Sequence, residues 1–271
     1  MDEERKLLIV PSPLDERDWR ADAIYNLKSE IPQEKDLRTS LQAVRNQGSQ
    51  GTCAAQSAAC MKEWQESKDI NFDEYFSPQF IYNLRKNQDT EGMYGRDVMR
   101  ILYKIGVCSE ADYEYGRIEA SDDLMQKDQL IIDASNHKIK HYAQLNTIDG
   151  TKMALCKNGP CLICFPVYNM GMKMWVPSHG SKMMGGHAMT LVGYTKDSFI
   201  IRNSWGTNWG DSGYCYYPFS EWGSHWELWT TIDDESFKQE EPEEQEEPEE
   251  PEEPDQHQDS PKRRRRCPLW F

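Results

Sequence analysis

Cys53 stands between a glycine-bearing turn and a run of small residues in "NQGSQGTCAAQSAAC" (46–60). A free thiol has a pKa of about 8.5 and is mostly protonated at neutral pH, while the attacking species is the thiolate. The glycines at 48 and 51 predict a turn, and Cys53, Ser57, Cys60, Met61 and Trp64 recur at the period of a helix, so Cys53 is expected at a helix N-terminus. The unpaired amides and the positive end of the helix dipole favour negative charge on sulfur there. A base must still take the thiol proton, and something must hold that base. His187 opens the strand-like run "GGHAMTLVGY" (185–194), and Asn203 ends the next one, "SFIIRNS" (198–204). Cys, His and Asn together suit acyl transfer: the imidazole accepts the thiol proton, and the carboxamide oxygen keeps the imidazole in the useful tautomer.

The elements that must position these groups change character along the chain. Residues 1–36 are polar and proline-punctuated and read as an extended lead-in with a short helix near 20–29. Helices are predicted from Thr52 onward, over 77–87 with Ser77 as cap and Pro78 at the first helical position, and over 95–105 ending at Gly106. After about residue 137, "IKHYAQL", "CLICFPV", "HAMTLVGY", "SFIIRNS" and "GYCYYPF" are short β-rich runs separated by Gly, Asn and Asp. Helices first and strands second predict either two unlike lobes or an α+β domain with segregated layers.

"NQGSQGTC", "GGHAMTLVGY" and "RNSWGTNWGDSGY" together resemble the papain-like cysteine proteases, particularly microbial or viral members with a short lead-in such as "SPLDERDW" (12–19). The likeness covers roughly 37–232, and His187 and Asn203 fall 134 and 150 residues beyond Cys53, within the spacing of about 130–150 that this family uses. The resemblance implies a two-lobe papain-like fold, with a helical left lobe and a β-barrel-like right lobe. It also implies thiol endopeptidase activity on protein or peptide substrates through an acyl-enzyme, with no cofactor. It assigns Cys53 as nucleophile, His187 as base and acid, Asn203 as its orienting partner and Gln47 as oxyanion donor, since prearranged donors must meet the charge that develops on the carbonyl oxygen. Trp205 would cover the Asn–His hydrogen bond, and Gly92 would lie in the backbone wall for extended substrate. Departures are Gln50 and Ala54, where the family has a cysteine and an aromatic residue, and the absence of a large helical propeptide, only 36 residues preceding the domain. The first removes a disulfide of secreted relatives; the second bears on local packing. The short lead-in is expected either to lie over the cleft as an inhibitory prosegment or to form a strap on the lobe backs. Two other readings stay open: an acyl transferase or modifier-removing isopeptidase on the same site, and an inactive scaffold binding partners through charged tails.

Net charge locates the unusual end of the chain. Residues 233–259 contain fifteen acidic side chains and one lysine, and "KRRRR" (262–266) follows, so only a mild acidity remains for the body. That balance speaks against a nucleic-acid-binding surface. "PEEQEEPEEPEEP" cannot bury apolar surface and predicts an extended, disordered linker over 233–261. The basic tail, 262–271, is expected to dock an acidic partner or an import receptor, or to fold back on the acidic tract; Cys267 stands fifth from the end and does not form a prenylation box. The expected organisation is therefore lead-in 1–36, helical lobe 37–136, β-rich lobe 137–232, linker and tail.

No apolar run approaches the ~18–20 residues of a membrane helix, and "MDEERKLLIV" lacks the order of a secretory signal. Eight cysteines without framework spacing point to a reducing compartment and an intracellular location, whether cytoplasmic, nuclear or virion-associated. Cys156, Cys161 and Cys164 do not make a metal site, because 161 and 164 fall on opposite faces of a predicted strand and no fourth ligand is near. His137 and His141 read as surface residues of a strand, and His179 as a loop residue competing poorly with His187. The stretch "WGSHWELWTT" (222–231) is expected to border the main specificity pocket, its floor residue unassigned.

Overall fold

Small side chains let one helix run through the middle of the protein. In the computed structural model, which describes residues 5–21, 25, 30–88 and 90–232, helix α1 spans Cys53–Asp69. Ala54, Ala55, Ala58 and Ala59 are all essentially inaccessible. With alanine on several faces, neighbouring elements can approach α1 from more than one side, the pattern of a buried helix rather than an amphipathic surface helix. Helix α2 (Pro78–Asn83) and helix α3 (Gly95–Lys104) pack against it. The Ser77 hydroxyl accepts from the Phe80 amide at 3.0 Å, so the expected cap forms. α2 stops about four residues short of the expected 87. Side chains intercept its last carbonyls: Gln88 Nε2 donates to Asn83 O at 2.7 Å, and Arg85 donates to Tyr82 O at 2.9 Å. Two short helices, α4 (Ser121–Met125) and α5 (Asp128–Ser135), complete this lobe.

The second half is an antiparallel sheet. Strand β1 (Lys35–Asp36) comes from the end of the lead-in, followed by β2 (His141–Gln144), β3 (Cys161–Val167), β4 (Gly185–Tyr194), β5 (Ser198–Arg202), β6 (Tyr214–Pro218) and β7 (Glu227–Ile232). Their order is β2-β7-β3-β4-β5-β6, with β1 on β4. β3, β5 and β7 are buried along their whole length, which explains why they read as apolar runs rather than alternating ones. The strand-rich half also holds a helix not foreseen from the sequence, α6 (Ile148–Lys157). Thr147 caps it by accepting from the Gly150 amide at 3.0 Å, while Gly150 inside the segment obscures its helical pattern.

Lys35 and Asp36 pair with Tyr194 and Gly193, so the lead-in already contributes to the sheet before residue 37. The expected helix near 20–29 falls largely outside the described residues, as do the acidic linker 233–261 and the basic tail 262–271. Among the described residues no helix is long and apolar enough to cross a membrane.

Candidate active site

α1 begins at the nucleophile candidate itself. Thr52 occupies the cap position without capping, because its hydroxyl lies 2.7 Å from Tyr115 Oη instead. The first-turn amides of Cys53 and Ala54 therefore act on the Cys53 sulfur, and the Ala188 amide of β4 donates to it as well. These donors lower the thiol pKa, but complete burial dominates and pushes it up to about 11.

The Ala188 contact brings His187 into the neighbourhood of Cys53, because the two residues are consecutive on β4. His187 is fully buried, and its Nε2 lies 2.7 Å from Asn203 Oδ1. The same oxygen accepts from the Ser204 amide at 2.8 Å. An atom that accepts from a backbone N–H is the carboxamide oxygen, so the imidazole must donate to it from Nε2. Nδ1 is then the bare acceptor, and it has no hydrogen-bond partner among the described residues. Burial lowers the His187 pKa to about 4, against the Asn203 hydrogen bond, which raises it. The sulfur and the imidazole are thus both held neutral in this state. The Trp205 ring lies over His187, centroids 4.5 Å apart at 32°, and is 2 % exposed, so the His–Asn hydrogen bond is screened from water on that side.

Gln47 sits in the turn before α1, 1 % exposed. Its backbone amide donates to Ser204 O at 2.8 Å, and its Oε1 accepts from Ser204 Oγ at 2.6 Å. Nε2 therefore points the other way, with one of its two hydrogens on Gln50 O at 2.8 Å. Ser204 binds both Asn203 and Gln47, a bridging role that sequence reading missed although the residue stands inside "RNSWG".

The lead-in crosses this site. Ile9 donates to Gly186 O at 3.3 Å, Gly186 donates to Leu7 O at 3.2 Å, and Val10 reaches Met93 O at 3.5 Å. Residues 7–10 thus lie between β4 and the segment before α3, in parallel pairing with Gly186 and Tyr94. Ile9 is 2 % exposed and packs in one cluster with Cys53, Met93, Cys164 and Ala188. Gly92 lies directly under this strand: a Cβ there would come 1.9 Å from Leu8 O, so only glycine permits the approach. The backbone group that meets the strand is Met93 O, since Gly92 O is taken by Asn87 Nδ2 at 2.7 Å. Further along, Ser12 donates to Glu227, which also accepts from the Gly95 amide at 3.3 Å and from Trp229 Nε1 at 3.0 Å. Burial raises the Glu227 pKa. Glu227, within 222–231, thus reaches the lead-in at Ser12, and nothing in the sequence distinguishes it from its neighbours. Arg96 pairs with Asp18, Lys6 with Glu91, and the Arg5 guanidinium stacks on Trp205 at 4.9 Å.

The remaining candidates lie elsewhere. Cys156 meets Tyr194 Oη at 3.4 Å, Cys161 donates to Gly159 O at 3.5 Å, and Cys164 neighbours Glu227. Among the described residues no group of three or more His, Cys, Asp or Glu side chains is placed to hold a metal, and seven cysteines are free thiols. His179 is exposed in the loop before β4. His137 departs from its expected surface-strand position. It follows α5, packs on Phe76 at 4.8 Å, and places Nδ1 3.3 Å from Glu66 Oε1, because the α5–β2 connection folds back onto α1. His141 does lie on β2, half-buried beside the Trp19 ring at 5.0 Å.

Comparison with known proteins bears on the same region. Residues 31–222 match the family described as papain family cysteine protease. An uncharacterized peptidase C1-like protein of Acanthamoeba polyphaga mimivirus is 28 % identical over 199 residues, covering 64 % of this chain and 63 % of that protein. Papain of Carica papaya is 26 % identical over 194 residues, covering 68 % of this chain and 54 % of papain's sequence. The chain thus spans less than two thirds of the length of these curated relatives. The crystal structure of xylellain, a cysteine protease from Xylella fastidiosa, superposes with a TM-score of 0.71 at 28 % identity, over 85 % of this chain and 98 % of that one. With the family match extending across both lobes and enclosing Cys53, His187 and Asn203, the chain belongs to the papain family of cysteine proteases.

Proposed function

We propose that this protein is a thiol endopeptidase whose reacting set is Cys53, His187, Asn203 and Gln47. The observation that carries the reading is the oriented imidazole: Nε2 is committed to Asn203 Oδ1 at 2.7 Å while Nδ1 is bare, on the residue next to the Ala188 amide that reaches the Cys53 sulfur. In the first half-reaction His187 Nδ1 takes the thiol proton and the sulfur bonds to the substrate carbonyl carbon. The carbonyl oxygen becomes an oxyanion, met by the Cys53 amide and Gln47 Nε2. The C–N bond then breaks as His187 returns the proton to the leaving amine. Water, deprotonated by His187, cleaves the resulting thioester and releases the acid and the free thiol. Asn203 keeps the imidazole in the tautomer each transfer needs, and Trp205 keeps water from competing for its hydrogen bond.

The lead-in restrains this chemistry. With Ile9 over Cys53, the thiol sits near a pKa of about 11 and the imidazole near about 4, so neither ionises at neutral pH. Displacing residues 5–12 admits water to both groups, which lowers the first value and raises the second. The free thiols support residence in a reducing, intracellular compartment.

Labelling by a peptidyl epoxide and hydrolysis of a peptide library test the reading together. Both are expected of the full chain carrying Ile9→Asp and absent once Cys53→Ala is added. Retention of either after Cys53→Ala overturns the assignment. Product formation only with added amine would instead favour an acyl transferase.

A further inference from the structure

α1 presents a stripe formed by Gln56, Cys60 and Glu63, at the i, i+4, i+7 spacing of one helix face. Together with Thr190, Arg202, Asn203 and Ser204, this stripe lines a cavity of about 10 Å³, about the space one water needs. Three buried polar atoms of its lining residues have no hydrogen-bond partner among the described residues: Asn203 Nδ2, Gln56 Oε1 and Arg45 Nη1. Gln56 and Asn203 are only 6 % and 1 % exposed, so solvent does not satisfy them. Two donors and one acceptor are the complement of a single water, which accepts twice and donates twice. Glu63 and Thr190, lining the same space, offer acceptors for its second hydrogen.

The other end of Gln56 is also engaged. Its amide donates to the Tyr115 hydroxyl. That hydroxyl donates in turn to Gln47 O at 2.8 Å and lies 2.7 Å from Thr52 Oγ1. Tyr115 therefore ties together the two ends of the turn 47–52, which carries Gln47 and leads into Cys53.

We propose that Gln56 is a positioning residue for both halves of the site. Through one water bound in the cavity it holds the Asn203 carboxamide with Oδ1 turned to His187; through Tyr115 it holds the turn that carries Gln47. Gln56 reaches no reacting atom itself, and the proposal rests on the reading of Cys53, His187 and Asn203 given above.

The test uses the full chain carrying Ile9→Asp. Gln56→Met keeps the side-chain length and removes both polar ends. It is expected to lower kcat at least tenfold with KM within twofold. It should also move the basic limb of the kcat profile to lower pH, since the imidazolium loses a firmly held acceptor. Tyr115→Phe, which spares the water, should lower kcat and leave that limb in place. A crystal structure of the full chain should place a water within hydrogen-bond distance of Asn203 Nδ2 and Gln56 Oε1. Wild-type kcat and an unmoved limb in Gln56→Met overturn the proposal, as does the lack of that water. Should Gln56→Met fail to fold, the crystal structure and Tyr115→Phe decide it: a water at that position together with the lowered kcat supports the proposal, and a kcat unchanged by Tyr115→Phe overturns it. An Ile9→Asp chain with no peptidase activity overturns the parent reading, and the crystallographic result still decides this one.

Discussion

Cys53 and Cys161 are both buried thiols, 1 % and 0 % exposed, yet they stand in opposite chemical surroundings. Cys161 lies inside β3, where its sulfur donates to Gly159 O at 3.5 Å and burial pushes its pKa up to about 12. That backbone acceptor favours the protonated thiol, while the Thr230 hydroxyl acts in the opposite direction. Cys53 lies where α1 begins, and three backbone amides from Cys53, Ala54 and Ala188 point at its sulfur. Exposure does not separate the two residues. The surroundings separate them: one hydroxyl and one carbonyl meet the Cys161 sulfur, whereas three backbone amides meet that of Cys53, which is the arrangement the proposed nucleophile needs.

Five substitutions break or sharpen this contrast, Cys161→Ala serving as the control and the other four running from the largest effect to the smallest. Cys53→Ala should reduce peptide hydrolysis to background, a loss on the order of 10⁴-fold or more, whereas Cys161→Ala should leave kcat/KM within about twofold while lowering thermal stability through lost packing. Gln47→Ala removes a side-chain oxyanion donor and should lower kcat by about 10²–10³-fold with a smaller change in KM; an unchanged kcat would place the oxyanion elsewhere. Asn203→Ala should lower kcat about 10²-fold, toward the lower end of what a positioned acid–base group contributes. It should also shift the basic limb of the pH profile downward, because the Asn203 hydrogen bond raises the His187 pKa.

The smallest effect concerns the lead-in. Asp18→Asn weakens the pair with Arg96, in which both side chains are about nine-tenths buried, and should raise the rate of iodoacetamide labelling at Cys53 severalfold in the full chain, with Cys161 unlabelled. The pH dependence follows from the signs. In the covered chain labelling should climb only toward a pKa of about 11, while in the opened chain the rise should begin at lower pH, as water and the imidazole favour the thiolate. Equal labelling rates in the two chains would show that residues 5–12 do not restrain the thiol.

Much of the site is readable from residue type because its chemistry tolerates few alternatives. A thiol after a glycine turn, a histidine opening a strand and an asparagine ending the next one restrict each other, and the structure places them on α1, β4 and the end of β5. Ser77 and Pro78 likewise announce the start of α2 through local capping rules. The end of α2 was not readable, since Gln88 and Arg85 capture its carbonyls through long, flexible side chains. α6 was hidden by Gly150 and by its position among strands. Ser204 and Tyr115 carry no signature, because a hydroxyl becomes a bridge only where two partners come within reach.

The order of residue types along the chain determined the α+β class, because helix period and strand pattern are local properties, and the likeness of three motifs pointed to the family and to the side chains proposed for acyl transfer. Tertiary structure alone decided which imidazole nitrogen is bare, that Ile9 packs in one cluster with Cys53, and that Ser12 meets Glu227. Those outcomes depend on hydrogen-bond directions and burial created by residues far apart in the chain, and neither quantity exists until the two lobes close on one another.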